Sequence, residues 1–363
     1  MHLSDFDFTL PSELIAQQPA EPRDSARLLV YERSSDTIRH AHVRDLASFL
    51  PPQTTLVANN SRVRQARLLC QTESGREVEL LLLESLKEQR YRCLVGGHSV
   101  KAGLELEVLD HTNQLSSLKV VVEGREEMPG MNTYIVRFLT EPSANLESLI
   151  ETHGHVPLPP YITESKAAPE RYQTTYAKEL GSAAAPTAGL HFTPKLIQSL
   201  TAAGHNWEEI TLHVGLGTFL PLRSQEVEAN HLHQEQTLIL PETAQAINQA
   251  LEQHHPILAV GTTSTRTLES HYEQGVVQAG LRQTELFIYP GYQFHTLNLL
   301  LTNFHLPHSS LLLLVSAFLG NASDNSSVAL SEAEMIRRLH HIYETAIREK
   351  YRFFSFGDAM LIR

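Results

Sequence analysis

The sequence EVELLLLES, residues 77–85, is one of several strand-like runs between residues 65 and 139. Almost no helical periodicity occurs in this segment, and turns containing Gly, Asn or Asp separate the runs. Short strands at this spacing are typical of an antiparallel barrel or sandwich. The other runs are ARLLCQT (66–72), YRCLVGG (91–97), LELEVL (104–109), LKVVVEG (118–124) and TYIVRFL (133–139).

On both sides of this segment, strand and helix patterns alternate. Helices are predicted from Ser12 and over residues 39–50, 144–153, 172–180, 194–203, 242–253, 265–274, 309–318 and 331–351. Strands are predicted over residues 28–31, 55–58, 209–214, 236–240, 257–260, 286–289 and 352–356. The expected fold is an α/β body with a mixed sheet flanked by helices (1–60 and 145–363), plus an inserted antiparallel β-barrel domain (61–144).

The composition is that of an ordinary globular protein, with 363 residues, 42% hydrophobic and 19% charged. Two cysteines fit a reducing compartment, and the N-terminus has no secretory pattern. The most apolar stretch, residues 311–319, is too short to span a membrane. We therefore expect a cytoplasmic protein without membrane contact. The net charge of −12 argues against non-specific nucleic-acid coating but allows recognition of one folded RNA.

A run of small residues, GSAAAPTAGLHF (181–192), precedes a predicted helix with Thr193 as N-cap and Pro194 as first residue. Gly and Ala allow a ligand or a second backbone to come close, and anionic ligands favour helix N-termini. The run is either a ligand loop or a close-packed turn with a core histidine. Both interpretations remain open from this segment alone.

Three further loops share this character, at residues 213–219, 261–269 and 301–307. In α/β proteins, loops at the carboxyl ends of strands converge on one ligand crevice. The loop after His213 lacks the third glycine of a dinucleotide fingerprint, which argues against NAD binding. The hydroxyls of residues 262–265 could bind ribose or a carboxylate, or only cap the helix, and Arg266 with Glu269 could form a surface ion pair.

Other chemistries have weaker support. His231, His233 and Glu235 could offer alternating metal ligands from one strand face, but no third ligand group has zinc-like spacing, so no metal is expected. No GxSxG motif occurs, and both cysteines fall in predicted barrel strands, so covalent catalysis is not expected. Basic side chains near a set of aromatic residues could hold phosphates while an unpaired base stacks. These residues are Arg62, Arg64, Arg67, Lys166 and Arg171, with Tyr161, Tyr172, Tyr176 and Phe192.

Long distinctive segments follow one another over nearly the whole chain: DFDFTLPSELIAQQPAEPRDSARLLV, NNSRVRQARL, GHVPLPPYI, ERYQTTYAK, AAPTAGLHFT, TLHVGLGTFLP, VGTTSTRTLES, LFIYPGYQF, LLTNFHLPHSSLLLLVSAFLG and YRFFSFGDAMLI. In these segments the chain resembles the S-adenosylmethionine:tRNA ribosyltransferase-isomerases of queuosine biosynthesis. The order of these long strings makes chance similarity improbable.

The resemblance implies an enzyme that moves the ribosyl part of S-adenosylmethionine to the aminomethyl group of a deazaguanine base at the tRNA wobble position. That part is isomerised to an epoxycyclopentane, with release of adenine and methionine. S-adenosylmethionine is then a co-substrate, no prosthetic group or metal is needed, the partner is the tRNA anticodon loop, and a monomer is favoured over an oligomer.

On this hypothesis His191 or His213 carries the proton. The remaining predicted site residues would bind substrate: Arg62, Tyr172, Thr187, Gly189, Phe192, Gly215, Gly217, Thr218, Glu235, Thr262, Thr263, Arg266, Glu269, Asn303, His305 and Asp358. Asn230, Asn298 and residues 95–99 depart from the family pattern. Two alternative functions therefore remain open: a tRNA-binding paralogue with altered catalysis, and a related transferase that acts on another nucleoside.

Overall fold

The computed structural model describes residues 1–97, 100–128, 131–141, 144–159, 161–163, 167–215, 222–321 and 330–363. The chain forms two compact units, one made of Met1–Arg62 with Pro160–Arg363 and the other of Val63–Pro159. The first contains a large mixed sheet flanked by helices, and the second contains a closed antiparallel barrel. The predicted fold class is confirmed.

A nine-stranded sheet forms the centre of the larger unit. Its strands, in spatial order, are β17 (Gly280–Thr284), β13 (Glu235–Ile239), β12 (Asn206–His213), β3 (Thr55–Asn59), β14 (Ile257–Val260), β18 (Leu299–Asn303), β19 (Ala359–Ile362), β1 (Arg27–Glu32) and β2 (Thr37–His42). Strands β12, β3, β14 and β18 are parallel neighbours, and β19 runs antiparallel to β18. Four carboxyl ends therefore meet at one edge of the sheet.

Both faces of this sheet are covered, as its side chains require. In β1, Leu29 and Tyr31 join one core, while Leu28 and Val30 join the other, because successive residues of a strand point to opposite faces. The helices of this unit are α2 (Pro194–Ala202), α3 (Pro241–Glu252), α4 (Thr262–His271), α5 (Ser310–Gly320) and α6 (Glu332–Arg348). The larger unit also contains the short strands β11 (Glu179–Ser182), β15 (Tyr272–Glu273) and β16 (Val276–Val277). Strand β4 (Ser61–Val63) ends at Val63, the first residue of the other unit.

The smaller unit is a barrel with its own apolar core. Its strands, in order around the barrel, are β10 (Met131–Leu139), β7 (Arg90–Gly96), β6 (Glu77–Ser85), β5 (Arg67–Gln71), β8 (Glu105–Leu109) and β9 (Leu115–Met128). Helix α1 (Leu146–His153) packs on this core through Leu146, Leu149 and Ile150. The unit therefore extends to Pro159, whereas the predicted insertion ends at residue 144.

Several predicted elements are wrong because tertiary hydrogen bonds replace the local pattern. The predicted helices at Ser12 and over residues 39–50 are single 3₁₀ segments, Ser12–Leu14 and Val43–Phe49, since residues 37–42 instead pair with β1. The predicted helix 172–180 does not form. The N–H groups of Lys178 and Glu179 instead donate to the carbonyl of Asn60, at 2.8 and 3.3 Å.

Two predicted strands are also wrong. Residues 286–289 form no strand, and the N–H of Leu286 donates to the hydroxyl of Thr284 at 3.2 Å. Residues 352–356 form a turn in which Phe354 has a left-handed backbone with φ 70°. The last strand is instead β19, which begins at Ala359.

Candidate active site

A cavity of about 500 Å³ lies at the carboxyl edge of the parallel strands, within the larger unit. Segments that follow β12, β14 and β18 line it, together with the small-residue run 184–188 and the turn that precedes β19. The volume is in the range of small-molecule sites, about 300–1,000 Å³. The structure thus brings together parts of all four loops that the sequence singled out.

One wall of the cavity is aromatic and comes from Tyr161, Tyr172 and Phe354. The rings of Tyr161 and Phe354 lie 4.3 Å apart between centroids. The hydroxyls of Tyr161 and Ser355 share a hydrogen bond of 2.6 Å. Burial raises the pKa of Tyr161 to about 12, so this hydroxyl stays protonated near neutral pH.

The small-residue run makes room in another part of the cavity lining. Thr187, Thr262 and Thr263 line the cavity, and the hydroxyl of Thr263 has no hydrogen-bond partner among the described residues. Gly261, directly before α4, has φ 89°, and a Cβ there would lie 3.3 Å from the Cβ of Ala188. Glycine at this position therefore lets the two loops approach each other beside a buried hydroxyl that has no partner among the described residues.

Asn303, at the end of β18, is the centre of a buried hydrogen-bond network at the cavity edge. The Thr187 hydroxyl donates to its Oδ1 at 3.0 Å. Its Nδ2 donates to Nε2 of His191 at 3.3 Å and to the carbonyl of Phe354 at 3.2 Å. The network fixes the orientation of the Asn303 amide before any ligand is present.

His191, predicted as a proton carrier, lies behind Asn303 and is not among the described residues that line the cavity. Because an amide nitrogen can only donate, Nε2 of His191 accepts, which places the imidazole proton on Nδ1. Burial lowers the pKa of His191 to about 4. The ring is therefore neutral at physiological pH and contacts the cavity through Asn303.

His305 does line the cavity, and its Nε2 lies 2.9 Å from the Thr302 hydroxyl. Burial lowers the pKa of His305 to about 3. His213, the second predicted proton carrier, lies outside the cavity lining, and its Nδ1 has no partner among the described residues. A Cβ on Gly181 would lie 2.7 Å from this nitrogen, so glycine allows the His213 ring to pack there.

Glu235 and Arg266 form a buried ion pair in the cavity lining, with their side chains 2% and 6% exposed. Arg266 Nη1 donates to Glu235 Oε2, and the N–H of Gly215 donates to Oε1 at 2.9 Å. Arg266 Nε donates to the carbonyl of Leu286 at 3.0 Å, while Nη2 has no hydrogen-bond partner among the described residues. The predicted pairing of Arg266 with Glu269 at the surface is wrong.

Two other predicted carboxylates serve the fold. Glu269 accepts from the Tyr292 hydroxyl and from the backbone and side chain of Thr296, away from the cavity. Asp358 accepts from the N–H of Arg27 and from the N–H and guanidinium of Arg352. Both are buried with several donors, so their positions are explained by packing.

The remaining predicted residues divide by location. The predicted residues in the cavity lining are Tyr172, Thr187, Glu235, Thr262, Thr263, Arg266, Asn303 and His305. Those described but outside the lining are Arg62, Gly189, Phe192, His191, His213, Gly215, Glu269 and Asp358. Gly189 packs on Tyr176, whose hydroxyl would be 2.1 Å from an added Cβ, and the Phe192 ring packs at a tilt against the Trp207 ring, 5.1 Å away between centroids. Gly217 and Thr218 lie outside the described residues, as does Lys166 of the basic residues predicted to hold phosphates.

The structure does not place His231, His233 and Glu235 along one strand, as the possible metal site requires. Strand β13 begins at Glu235, so His231 and His233 precede it instead of alternating along it. Among the residues that the structure describes, no group of three His, Cys, Asp or Glu could hold a metal ion. Glu235 is instead paired with Arg266.

The predicted site residues did not include Phe354, Ser355 and the segment 306–311, which line the cavity. The sequence pattern of residues 352–356 predicts a strand, whereas the structure has a turn that places Phe354 in the cavity lining. The sequence predicts a different role for Tyr161, the stacking of an unpaired base beside basic side chains. No local signal marks Phe354, because its backbone conformation depends on partners distant in the chain.

The chain is similar to known proteins over its whole length. A family model described as queuosine biosynthesis protein matches residues 3–362. The chain is 44% identical over 363 residues to the S-adenosylmethionine:tRNA ribosyltransferase-isomerase of Thermotoga petrophila, covering 100% of both chains. It is 46% identical over 365 residues to the protein of the same name from Symbiobacterium thermophilum, again over 100% of both.

A solved structure gives the same indication. The crystal structure of S-adenosylmethionine tRNA ribosyltransferase from Thermotoga maritima matches with a TM-score of 0.54 and 35% identity, over 99% of this chain and 100% of that one. Among the described residues, no helix has the length and apolar character needed to cross a membrane. From the family model and the full-length relatives, the resemblance is confirmed: the chain belongs to the queuosine biosynthesis protein family, whose members include S-adenosylmethionine:tRNA ribosyltransferase-isomerases.

Proposed function

We propose that the protein transfers and isomerises the ribosyl moiety of S-adenosylmethionine onto the aminomethyl-deazaguanine base at the tRNA wobble position. The products are epoxyqueuosine-tRNA, adenine and methionine. The observation that carries the proposal is the cavity of about 500 Å³, with its aromatic wall and buried ion pair, in a chain of this family. S-adenosylmethionine is the co-substrate, and the proposed reaction needs no prosthetic group or metal.

Several features of the cavity support this chemistry. Aromatic faces attract a sulfonium cation, and Tyr172 is an aromatic residue of the cavity lining that suits this role. Arg266 suits the carboxylate of the methionine part, because its Nη2 has no partner among the described residues. The hydroxyls of Thr262 and Thr263 suit the ribose. We propose that His191 acts as a positioning residue through Asn303, while His213 stays a prediction as proton carrier.

The RNA substrate gives the remaining parts of the proposal. The tRNA anticodon loop presents the modified base, and the enzyme acts as a monomer in the cytoplasm, where such RNA is found. Arg62 is exposed and is proposed to contact the RNA backbone.

The test is an assay with S-adenosylmethionine and tRNA that carries the aminomethyl-deazaguanine base, in parallel with the Thermotoga petrophila relative. We expect stoichiometric release of adenine and methionine and a matching gain in tRNA mass. Unmodified tRNA is the matched control and should give no release. Unchanged tRNA mass, while the relative works, would overturn the proposal; tRNA binding without release would indicate a paralogue with altered catalysis. Release with a different nucleoside would indicate a related transferase.

A variant refines this test. Arg266→Lys keeps the charge but loses the planar donor fork, so we expect kcat/KM to fall about 10- to 100-fold. Arg282→Lys is the matched control, because Arg282 pairs with Glu273 in an exposed ion pair outside the cavity and its replacement should leave kcat/KM unchanged. Equal kcat/KM values for the two variants would remove Arg266 from substrate binding.

A further inference from the structure

Phe354 has a backbone conformation that bulky residues rarely adopt, with φ 70°. Three hydrogen bonds hold it there. Its N–H donates to the carbonyl of Phe304 at 3.1 Å, and its carbonyl accepts from Asn303 Nδ2 at 3.2 Å and from the N–H of Gly357 at 2.9 Å. Strained residues persist where the surroundings over-determine them, and they concentrate at ligand sites.

The backbone segments of this turn lie very close to each other at Gly357. A Cβ on Gly357 would lie 2.5 Å from the carbonyl oxygen of Arg352, so only glycine closes the turn without a shift. Asn303, which holds the carbonyl of Phe354, is itself fixed by Thr187 and His191. The strained turn is therefore tied to the network at the cavity edge.

The turn presents the Phe354 ring in the cavity wall beside the Tyr161 ring, 4.3 Å away at 39°. Tyr161 is held by the Ser355 hydroxyl at 2.6 Å, and its carbonyl accepts from Gln17 Nε2 at 2.8 Å. Both rings are thus positioned before a ligand binds. A wall of two fixed rings suits a flat heteroaromatic ligand, because stacking needs a π-face and little sequence-specific hydrogen bonding.

We propose that the Tyr161–Phe354 wall binds a planar purine-type ring by stacking. The inference rests on the proposed function, which offers two rings of this chemistry, the adenine of the sulfonium donor and the deazaguanine of the tRNA. The wall discriminates flat bases from aliphatic ligands of the same volume. Phe354 is then a binding residue, and Asn303 and Gly357 are positioning residues for it.

The experiment measures equilibrium binding to the full-length protein in two arms, S-adenosylmethionine without RNA and an anticodon stem-loop RNA with the aminomethyl-deazaguanine base without donor. Phe354→Leu keeps apolar volume and removes the π-face. We expect its Kd to rise about 5- to 150-fold in the arm whose ring stacks there. Phe354→Tyr keeps the ring and should bind like the wild type.

Two further variants make the test robust. Phe294→Leu removes a half-buried aromatic outside the cavity lining and controls for general loss of an aromatic contact. Tyr161→Leu removes the second ring, whereas Tyr161→Phe removes only the bond to Ser355. If Phe354→Leu fails to fold, the Tyr161 pair carries the test, with weaker binding expected for Leu than for Phe.

Each outcome decides the inference. Weaker donor binding alone assigns the wall to adenine, and weaker RNA binding alone assigns it to the tRNA base. Weaker binding of both the donor and the RNA assigns the wall to the adenine and to the deazaguanine, each binding there at a different stage. Wild-type Kd values for folded Phe354→Leu and Tyr161→Leu in both arms would overturn the inference while leaving the proposed function intact. A wild-type protein that binds neither probe would overturn both.

Discussion

His191 and His305 show how single residues of this site depend on their surroundings. Each is a buried imidazole with a hydrogen-bonded Nε2, and burial lowers the pKa values to about 4 and about 3. The charged form of an imidazole loses hydration when it is buried, so the folded protein keeps both rings neutral. Near neutral pH both rings therefore act as neutral hydrogen-bonding groups.

These two pKa values predict a stability that falls with acidification. In the unfolded chain a histidine titrates near its model value of 6.5, so the unfolded state binds more protons than the folded state between about pH 6.5 and 4. The contribution of these two histidines to the free energy of unfolding is therefore fully present above the unfolded pKa and is lost as the pH drops below it. At pH 5 each ring should lower the free energy of unfolding by about 2 kcal/mol relative to pH 8.

Urea unfolding at pH 8 and pH 5 measures this loss. His191→Gln and His305→Gln should each be less pH-dependent than the wild type, because glutamine does not titrate. His254→Gln, at an exposed position outside the apolar cores, is the control and should keep the wild-type dependence. Equal pH dependence in all four proteins would contradict the assignment.

At the scale of elements, the site follows from the order of strands in the sheet. Strands β12, β3, β14 and β18 are parallel and adjacent, so the loops after three of them reach one crevice. Because β19 runs antiparallel to β18, the turn before it lies at the same edge. This is how Phe354 comes to lie beside Asn303, with Nδ2 of Asn303 bonded to its carbonyl.

Helix α2 offers a prediction at this scale, since it begins directly after the small-residue run. The Thr193 hydroxyl oxygen accepts from the N–H of Leu196 at 3.1 Å and also donates to Asp24 at 3.2 Å. Thr193→Ala removes the cap and should lower the free energy of unfolding by about 1 kcal/mol, measured by urea unfolding. Thr193→Ser keeps the hydroxyl and should stay close to the wild type.

The matched control is Thr201→Ala, an exposed threonine on the same helix, which should change the free energy of unfolding by less than about 0.5 kcal/mol. A loss at Thr201 as large as that at Thr193 would show that the N-cap contributes nothing specific.

At the scale of the whole molecule, the smaller unit has the features of an inserted domain. It has its own closed barrel and apolar core. Near its two ends, the N–H of Arg67 donates to the carbonyl of His155 at 3.1 Å, and the N–H of His155 donates back at 2.7 Å. Chain ends that lie side by side allow a domain to be inserted into another fold.

We therefore predict that a fragment of residues 63–159 folds alone. Its far-ultraviolet circular dichroism should show β-structure, and its urea unfolding should be one cooperative transition, because a closed barrel leaves no open sheet edges. As a control, Ile150→Asp in the same fragment places a charge in the barrel core and should abolish the transition. A wild-type fragment with the spectrum of an unfolded chain would contradict the prediction.

Several features of this protein depend only on residues that are neighbours in the chain. Strand-like runs separated by turns located the barrel, and Thr193 with Pro194 located the start of α2. Long motifs in a shared order identified the family, and small residues after strands located parts of the cavity lining. These signals are local because periodicity, capping and turn chemistry involve residues a few positions apart.

The tertiary structure alone decided which polar residues face the cavity. His191, Glu269 and Asp358 all have side chains suited to catalysis. His191 nevertheless lies behind Asn303, and the carboxylates of Glu269 and Asp358 accept hydrogen bonds from groups of the fold. Arg266 selects Glu235 as its partner, and Phe354 joins Tyr161 in the wall. These pairings depend on the order and direction of strands in the sheet, which bring together residues far apart in the chain and set the burial that governs their charge.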